Sequence, residues 1–327
     1  MHLTNEEERI LHGESGKGTQ KAMELLVAIG DAYDAEKMIP ISRAHAASSG
    51  QEGDLYFVEL LADGGARCKV PTSTNPVYDI AYFDRLFAEI PKGEADVARR
   101  VMEAYERVGA ILSWSCVPYL AENIPLYGET VAFSESSATP YVNSVIGART
   151  NREAAQSALS AGVIGKTPEY GLHFKENRKG THLVSVEAVL KDEFDYTLLG
   201  YRVGKRVGYG IPVLTGISKR PNTEELINFC AMSNVSGAIS MFHIPGFTAE
   251  APTVEEAFQG DVPEDKITVT DHELKQDYDE LQTTSGKIDF VMLGCPHYTL
   301  KQMEEVARLL SGKKIHEGVA FWVCTSA

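Results

Sequence analysis

Several kinds of sequence feature are scarce or missing, and each absence excludes a class of protein. The five cysteines lie far apart and none forms a CxxC pair, which disfavours a zinc ribbon and a thioredoxin-like site. No apolar run approaches the roughly 20 residues of a membrane-spanning helix. The first residues, MHLTNEEERI, are too acidic and polar for a secretory signal. We therefore expect a cytoplasmic protein that does not bind a membrane.

Positive charge is scarce as well. Lysine and arginine total 31 against 46 aspartates and glutamates, which gives a formal net charge of −15. Nucleic acids require a basic face, so no nucleic-acid partner is expected. The stretch GESGKGT (residues 13–19) also fails the phosphate-loop pattern, because Gly18 rather than serine or threonine follows Lys17. A small anionic substrate remains compatible, since one local cluster of arginines or lysines is enough to bind it.

What the sequence does contain is an alternation of short apolar runs and amphipathic helical patterns. Strands are predicted at residues 38–42, 66–71, 111–116, 131–133, 183–190, 211–217, 237–244, 288–293 and 319–324, and helices at residues 19–33, 55–62, 79–90, 94–108, 193–206 and 222–233. Repeated strand–helix alternation predicts an α/β class with parallel sheets flanked by helices. The polar region 147–182 is the predicted seam between two lobes, residues 1–150 and 151–327.

Three of the cysteines end predicted strands. In KIDFVMLGCPHYTL (residues 287–300), a strand is followed by a break that contains Cys295 and then by a helix. Cys116 and Cys324 also follow apolar runs of strand length. The carboxyl ends of parallel strands line the crevice where ligands bind, and three thiolates can hold an iron–sulfur cluster with one iron left open for substrate. Small cysteines that merely end strands are the simpler alternative, and the pattern leaves both open.

A second group of candidates is polar and lies within residues 129–152. Ser136 and Ser137 stand at the predicted start of a helix. Arg149 and Arg152 follow its end. Hydroxyls and free N–H groups at a helix start, with two arginines near, can cradle an anion. Ordinary helix capping with solvent-facing arginines is the alternative.

Several stretches together carry a resemblance to a known family. SWSCVPYLAENIPLYGE, AFSESSATPYVNSVIGARTNREAAQSAL, YGLHFKENRK and LGCPHYTL follow one another as in the large subunit of aconitase X, and the chain resembles that family along its whole length. The resemblance implies an aconitase-like α/β architecture with two lobes around a central crevice. It also implies an iron–sulfur hydro-lyase. The family's substrates are mevalonate 5-phosphate, an intermediate of the mevalonate pathway of isoprenoid biosynthesis, and cis-3-hydroxy-L-proline; we expect the first.

The resemblance assigns roles to the thiols and implies a partner. Cys116 and Cys295 match cluster ligands of a 4Fe–4S or smaller iron–sulfur cluster. The remaining ligand of the family is expected beyond the end of this chain, which resembles a C-terminally shortened member, and Cys324 is the third candidate. A small swivel-domain subunit is the expected partner in a heterodimer, and it would supply a serine as the base.

The polar candidates are assigned to the substrate's carboxylate or phosphate, because arginine suits bidentate capture of either group. These residues are Ser136, Ser137, Asn143, Arg149 and Arg152, with His173, Glu176 and Lys179 from the polar stretch 171–182. A different class of hypothesis remains: the chain binds a small anion without catalysis, and its cysteines are core residues.

Overall fold

The computed structural model describes residues 1–75 and 92–326, with Lys92 described through its backbone alone. The helix predicted at residues 79–90 lies outside the described residues. The chain divides into two compact units: unit 1 comprises Met1–Trp114 and Pro118–Arg178, and unit 2 comprises Ser115–Val117 and Lys179–Ala327. No helix within the described ranges is long and apolar enough to cross a bilayer.

Unit 1 is built on a four-stranded parallel sheet in the order β4-β3-β2-β5. Strands β1 and β6 form a separate, two-stranded antiparallel sheet. The strands are β1 (Met38–Pro40), β2 (Ala44–Ala46), β3 (Thr72–Thr74), β4 (Ile111–Leu112), β5 (Ala132–Phe133) and β6 (Lys166–Pro168). The two central strands, β2 and β3, are buried at every position, as is usual for parallel strands covered on both faces.

Helices flank this sheet and enclose the larger apolar core. They are α1 (Asn5–Leu11), α2 (Lys17–Ala32), α3 (Glu52–Asp63), α4 (Lys92–Arg107), α5 (Ala138–Tyr141) and α6 (Ala155–Ile164). Met23, Leu61 and Leu159, from three different helices, are among the fully buried side chains. The first helix begins at a capping box in which Thr4 accepts the N–H of Glu7 and the Glu7 carboxylate accepts the N–H of Thr4.

Unit 2 contains two parallel sheets and the remaining helices. The strands are β7 (His182–Val186), β8 (Pro212–Thr215), β9 (Asp265–Val269), β10 (Phe290–Tyr298) and β11 (Ala320–Thr325), and the helices are α7 (Glu193–Val207), α8 (Thr223–Gly237), α9 (Val254–Ala257), α10 (Asp271–Leu281) and α11 (Leu300–Leu310). One sheet has the order β8-β7-β9, and the other pairs β10 with β11. The predicted α/β class is confirmed.

Helices α7 and α8 approach each other closely because glycines lie at their contact. A Cβ placed on Gly204 would lie 2.6 Å from the carbonyl oxygen of Ser233 and 3.0 Å from the backbone nitrogen of Gly237. Both of these atoms belong to backbone, which cannot rotate away as a flexible side chain can. A larger residue at position 204 therefore has to push the two helices apart.

We expect Gly204→Val to lower the free energy of unfolding by at least about 2 kcal/mol, because it overpacks this contact. Gly53→Val is the matched control, since Gly53 is also helical but has no atom within 4 Å of an added Cβ. Urea unfolding of both variants checks the prediction. Equal stability of the two variants would contradict it.

Three local predictions about strands are wrong. Residues 66–71 form no strand. The N–H groups of Cys68 and Lys69 donate to the carbonyls of Val108 and Gly162, and neither of these acceptors belongs to a strand. Residues 237–244 contribute only an isolated bridge between Val213 and His243.

The third wrong prediction is the end of a strand before Gly294. Strand β10 continues to Tyr298, with a shift of register between Leu293 and Tyr298. The peptide bond between Cys295 and Pro296 within this segment is cis. Helix α11, the helix predicted after the break, then begins after Thr299, whose side chain caps it by accepting the N–H of Gln302.

Candidate functional site

The three cysteines predicted to end strands all belong to unit 2. The prediction holds for Cys324, near the end of β11, but Cys116 lies beyond the end of β4 at Leu112, and Cys295 lies within β10. Strands β10 and β11 are parallel, so their carboxyl ends, which carry Cys295 and Cys324, lie at the same edge. Cys116 belongs to the short segment Ser115–Val117, which is part of the same unit although the residues on both sides of it belong to unit 1. Sequence order alone does not predict this grouping.

Two hydrogen bonds join Cys116 to the end of β10. The backbone N–H of His297 donates to the Cys116 sulfur at 3.2 Å, and the backbone N–H of Cys116 donates to Nδ1 of His297 at 3.3 Å. With Nδ1 as acceptor, the neutral imidazole carries its proton on Nε2. A third bond, from the Ser326 hydroxyl to the Ser115 hydroxyl at 2.8 Å, joins the same segment to the residues after β11.

Cys295 and Cys324 are close enough for the charge of one thiol to affect the pKa of the other. Burial, followed by the nearby Cys295 thiol, raises the pKa of Cys324 above its ordinary value. Gly294 lies against the backbone of Cys324, so that a Cβ at Gly294 would sit 2.9 Å from the Cys324 nitrogen. Because Gly294 has a φ of +98°, only glycine suits this position without strain. Cys295 is exposed, whereas Cys116 and Cys324 are half-buried.

These thiols fit the chemistry of an iron–sulfur ligand set, although they do not form a closed one. Cluster thiolates commonly accept backbone N–H bonds, which tune the cluster, and Cys116 accepts one from His297. Within residues 1–75 and 92–326, however, no group of three or more His, Cys, Asp or Glu side chains is arranged to hold a metal ion. The assignment of Cys116, Cys295 and Cys324 to a cluster stays a prediction.

Among the polar candidates of unit 1, Asn143 is fully buried and binds Arg178. The Arg178 guanidinium donates to the side-chain oxygen and to the backbone carbonyl of Asn143, each at 3.0 Å. It also donates to the carbonyls of Leu172 and Ala148, at 3.1 and 3.2 Å. Arg178 is only 1% exposed, so these bonds compensate a charge that is removed from water. The Asn143 amide completes the arrangement by bonding the backbone of Thr150.

His173 lies beside two cations. It is buried, and neither ring nitrogen has a hydrogen-bond partner among the described residues. Arg149 donates from its guanidinium to the His173 carbonyl at 2.9 Å. Burial, together with the charges of Arg178 and Arg149, lowers the pKa of His173 to about 4. The imidazole is therefore neutral at pH 7, and Arg149 supplies the positive charge of this pair.

Because His173 is neutral in the folded protein, we expect the protein to lose stability as the solution becomes acidic. The folded pKa of about 4 is below the ordinary 6.5, so the unfolded chain takes up the proton first and stability falls as pH drops through this window. Between pH 7 and pH 5 the contribution of His173 decreases by about 2 kcal/mol. We expect His173→Gln to lose less unfolding free energy over that interval than the wild type. Denaturant titrations at both pH values measure it, and equal losses would contradict the prediction.

Ser136 and Ser137 lie at the carboxyl end of β5, as predicted. Ser137 is buried and accepts a hydrogen bond from the Tyr119 hydroxyl at 3.0 Å. Ser136 is half-buried, and its backbone N–H donates to the carboxyl group of Glu135 at 3.1 Å. The helix that follows is regular only from Ala138–Tyr141 and continues as a π-helical turn. Gly147, with a φ of +78°, ends it.

The other polar candidates are more peripheral. Arg152 and Glu176 are exposed in unit 1. Lys179 belongs to unit 2, where its ammonium forms an ion pair with Asp261. The structure therefore brings Asn143, Arg149 and His173 together around Arg178, and leaves the role of the exposed residues as a prediction.

Three residues of these arrangements are absent from the sequence-based candidates. Arg178 looks like part of a solvated charged turn in HFKENRK, and nothing local reveals its burial. Glu135 resembles a helix-capping residue in SESS. His297 directly follows the Cys-Pro pair, and that adjacency is the one signal that could have identified it.

Comparison with known protein families gives three consecutive matches. The profile of the aconitase X first domain matches residues 1–176, that of the second domain residues 180–279, and that of the third domain residues 288–327.

Individual proteins are similar over nearly the same length. The chain is 39% identical over 337 residues to the phosphomevalonate dehydratase large subunit of Methanocaldococcus jannaschii, covering 100% of this chain and 82% of that protein. It is 33% identical over 328 residues to the cis-3-hydroxy-L-proline dehydratase of Pseudomonas aeruginosa, covering 98% of this chain and 56% of that protein. The crystal structure of Thermococcus kodakaraensis aconitase X in its holo-form matches with a TM-score of 0.90 and 37% identity, covering 100% of this chain and 81% of that one.

Proposed function

The chain belongs to the aconitase X family, and we propose that it is the large subunit of a hydro-lyase that dehydrates mevalonate 5-phosphate to anhydromevalonate 5-phosphate. The observation that carries this choice is the difference between the two kinds of relative. Five large subunits named for phosphomevalonate are 35–40% identical and are covered to 77–82% of their length. The hydroxyproline dehydratases are 33% and 31% identical and are covered to 56% and 55%.

The proposed cofactor is an iron–sulfur cluster, 4Fe–4S or smaller, held by Cys116 and Cys295 with Cys324 as the third candidate. When bound, such a cluster supplies a Lewis-acidic iron that makes the substrate's hydroxyl a better leaving group. The reciprocal bonds between Cys116 and His297 fix the direction of the Cys116 side chain. The exposed position of Cys295 leaves its sulfur accessible.

Binding of the anionic substrate is assigned to unit 1. Arg149 is half-buried, and within the described residues its side chain donates one hydrogen bond, to the His173 carbonyl, so its other N–H groups can bind a carboxylate or phosphate. His173 is buried and neutral, so it adds no second positive charge and holds the Arg149 guanidinium through its carbonyl. Ser136 at the end of β5 adds a hydroxyl. Asn143 acts indirectly, because it holds Arg178 and the backbone around Thr150.

The proposed partner is a small subunit with a swivel-type domain. The relatives from Methanocaldococcus jannaschii and Thermococcus kodakarensis are named large subunits, which implies a second chain. We assign to that partner the base that removes a proton from the carbon next to the hydroxyl-bearing carbon. Electrons of the broken C–H bond then form the double bond as the hydroxyl departs.

A direct assay of both substrates tests the proposal. The large subunit is co-expressed with the proposed small subunit, purified without oxygen, and incubated separately with mevalonate 5-phosphate and cis-3-hydroxy-L-proline. Proton NMR should detect a new vinylic signal when mevalonate 5-phosphate is the substrate. The kcat/KM for mevalonate 5-phosphate should be larger than that for cis-3-hydroxy-L-proline. Turnover of hydroxyproline alone would replace the first substrate by the second. Binding of either anion without turnover, in an iron-free protein, would favour the non-catalytic alternative.

A further inference from the structure

Glu135 has the most unusual backbone of the described non-glycine residues. Its φ is +123°, whereas Asp34, Trp114, Ala238 and Gln259 have φ values between +52° and +61°, which is the left-handed helical region. A side chain at +123° is strained, and such strain persists only where the surroundings impose it and is concentrated at functional sites. Glu135 directly follows Ser134 after β5, so it lies at the carboxyl end of a parallel strand.

The Glu135 carboxyl group is held from both sides. Asn75 donates from its side-chain nitrogen to one carboxyl oxygen at 2.8 Å, and the Ser136 N–H donates to the other at 3.1 Å. Burial raises the pKa of Glu135 although both of these bonds lower it. Within the described residues no cation contributes to the pKa of Glu135. A carboxyl group in such surroundings retains its proton more readily than an exposed one.

A buried polar network lies beside Asn75. His45 is completely buried on β2, and its Nδ1 lies 2.8 Å from the Ser73 hydroxyl. Asn123 donates to the same hydroxyl at 2.9 Å and to the carbonyl of Ala44 at 2.8 Å. Burial lowers the pKa of His45 to about 3, and Asn75 opposes that effect, so the ring is neutral beside the amide. Within the described residues the network is incomplete, because Nε2 of His45, Oδ1 of Asn75 and Oδ1 of Asn123 are buried without a hydrogen-bond partner. Buried polar atoms of this kind are costly to leave unpaired.

We propose that Glu135 is the general acid of the dehydration and protonates the departing hydroxyl group. The inference rests on the proposed function. In the step, the O–H bond of the Glu135 carboxyl breaks and its proton joins the substrate's hydroxyl oxygen. The C–O bond breaks, and its electron pair leaves with that oxygen as water. The base on the partner holds the proton removed from carbon, and Glu135 regains a proton from solvent before the next turnover.

A purely structural role of Glu135 requires its shape and hydrogen bonds but not its proton. Glutamine has nearly the same shape, and its amide oxygen can accept one of the two bonds, from Asn75 or from Ser136. Packing and one of the two hydrogen bonds are therefore preserved in Glu135→Gln, whereas the transferable proton is lost. Glu135→Asp keeps an acid but withdraws it by one methylene.

The test compares Glu135→Gln, Glu135→Asp and Glu153→Gln in the two-subunit enzyme. Glu153 is the matched control, because burial also raises its pKa and its carboxyl group accepts a hydrogen bond from Ser157 instead. We expect Glu135→Gln to lower kcat at least about 100-fold, the usual size of a general-acid contribution, with KM and the thermal midpoint little changed. The alkaline limb of the pH profile should disappear with it. Glu135→Asp should retain partial activity, and Glu153→Gln should resemble the wild type.

A second readout does not depend on turnover. Infrared difference spectra of wild type against Glu135→Gln, at neutral pH, should show the C=O band of a protonated carboxylic acid that only the wild type carries. Wild-type kcat in Glu135→Gln, or absence of that band, would overturn the assignment. If the wild type turns over neither substrate, the proposed function fails and the role falls with it. If the wild type is active and Glu135→Gln is equally active, the role alone fails.

Discussion

Replacing Cys116 with serine in the two-subunit enzyme is expected to lower turnover by about 1,000-fold or more, as loss of a principal electrostatic contributor to the transition state does. A serine hydroxyl is a much poorer ligand of cluster iron than a thiolate, because iron–sulfur clusters select soft sulfur ligands. The N–H of His297, which now donates to the Cys116 sulfur at 3.2 Å, can still find an oxygen acceptor, so the fold should survive. The measurement is kcat with mevalonate 5-phosphate, accompanied by iron content.

Cys68→Ser is the control for this substitution. Cys68 is half-buried in unit 1, whereas the three candidate ligands belong to unit 2. The control should retain both iron and activity. If Cys116→Ser kept wild-type turnover, Cys116 would not be a cluster ligand.

The second large effect is expected on stability, from Arg178→Met. The substitution removes a guanidinium that donates at least four hydrogen bonds, to Asn143, Leu172 and Ala148. Methionine has a similar length but no donor, so buried carbonyls lose their partners. The free energy of unfolding should fall by about 3–5 kcal/mol. Arg178→Lys should recover little of it, because an ammonium cannot reproduce the planar fork.

Arg152→Met provides the comparison for Arg178. Arg152 is exposed in the same unit, and substitutions at such sites usually change stability by less than about 0.5 kcal/mol. Denaturant unfolding of both variants gives the difference directly. Similar stability of Arg178→Met and Arg152→Met would show that the buried network does not stabilise unit 1.

Regular elements were the part of this fold most accessible from sequence. The period of apolar residues predicts the helices at 94–108 and 193–206, and the structure has them at Lys92–Arg107 and Glu193–Val207. Capping residues such as Thr4 and Thr299 act within one turn, so their effect is visible locally. Strands were harder: several have two or three residues, too few for a period to identify.

The candidate site depends on contacts that sequence order conceals. Ser115–Val117 joins unit 2 although the residues on both sides belong to unit 1, and this brings Cys116 to His297. Arg178 is charged, and its burial is made possible by carbonyls that lie 6 to 35 residues away in the chain. The strain at Glu135 is a property of one φ angle. A glutamate within a polar stretch of sequence gives no indication of such an angle.

The most direct test of the cluster-dependent dehydratase is the iron and acid-labile sulfide content of the two-subunit enzyme after anaerobic reconstitution, measured with its visible absorbance. We predict a coloured protein that contains iron and inorganic sulfide, and in which Cys116→Ser loses both while Cys68→Ser keeps them. A colourless wild-type protein without iron or sulfide would contradict the account, whatever anion it binds.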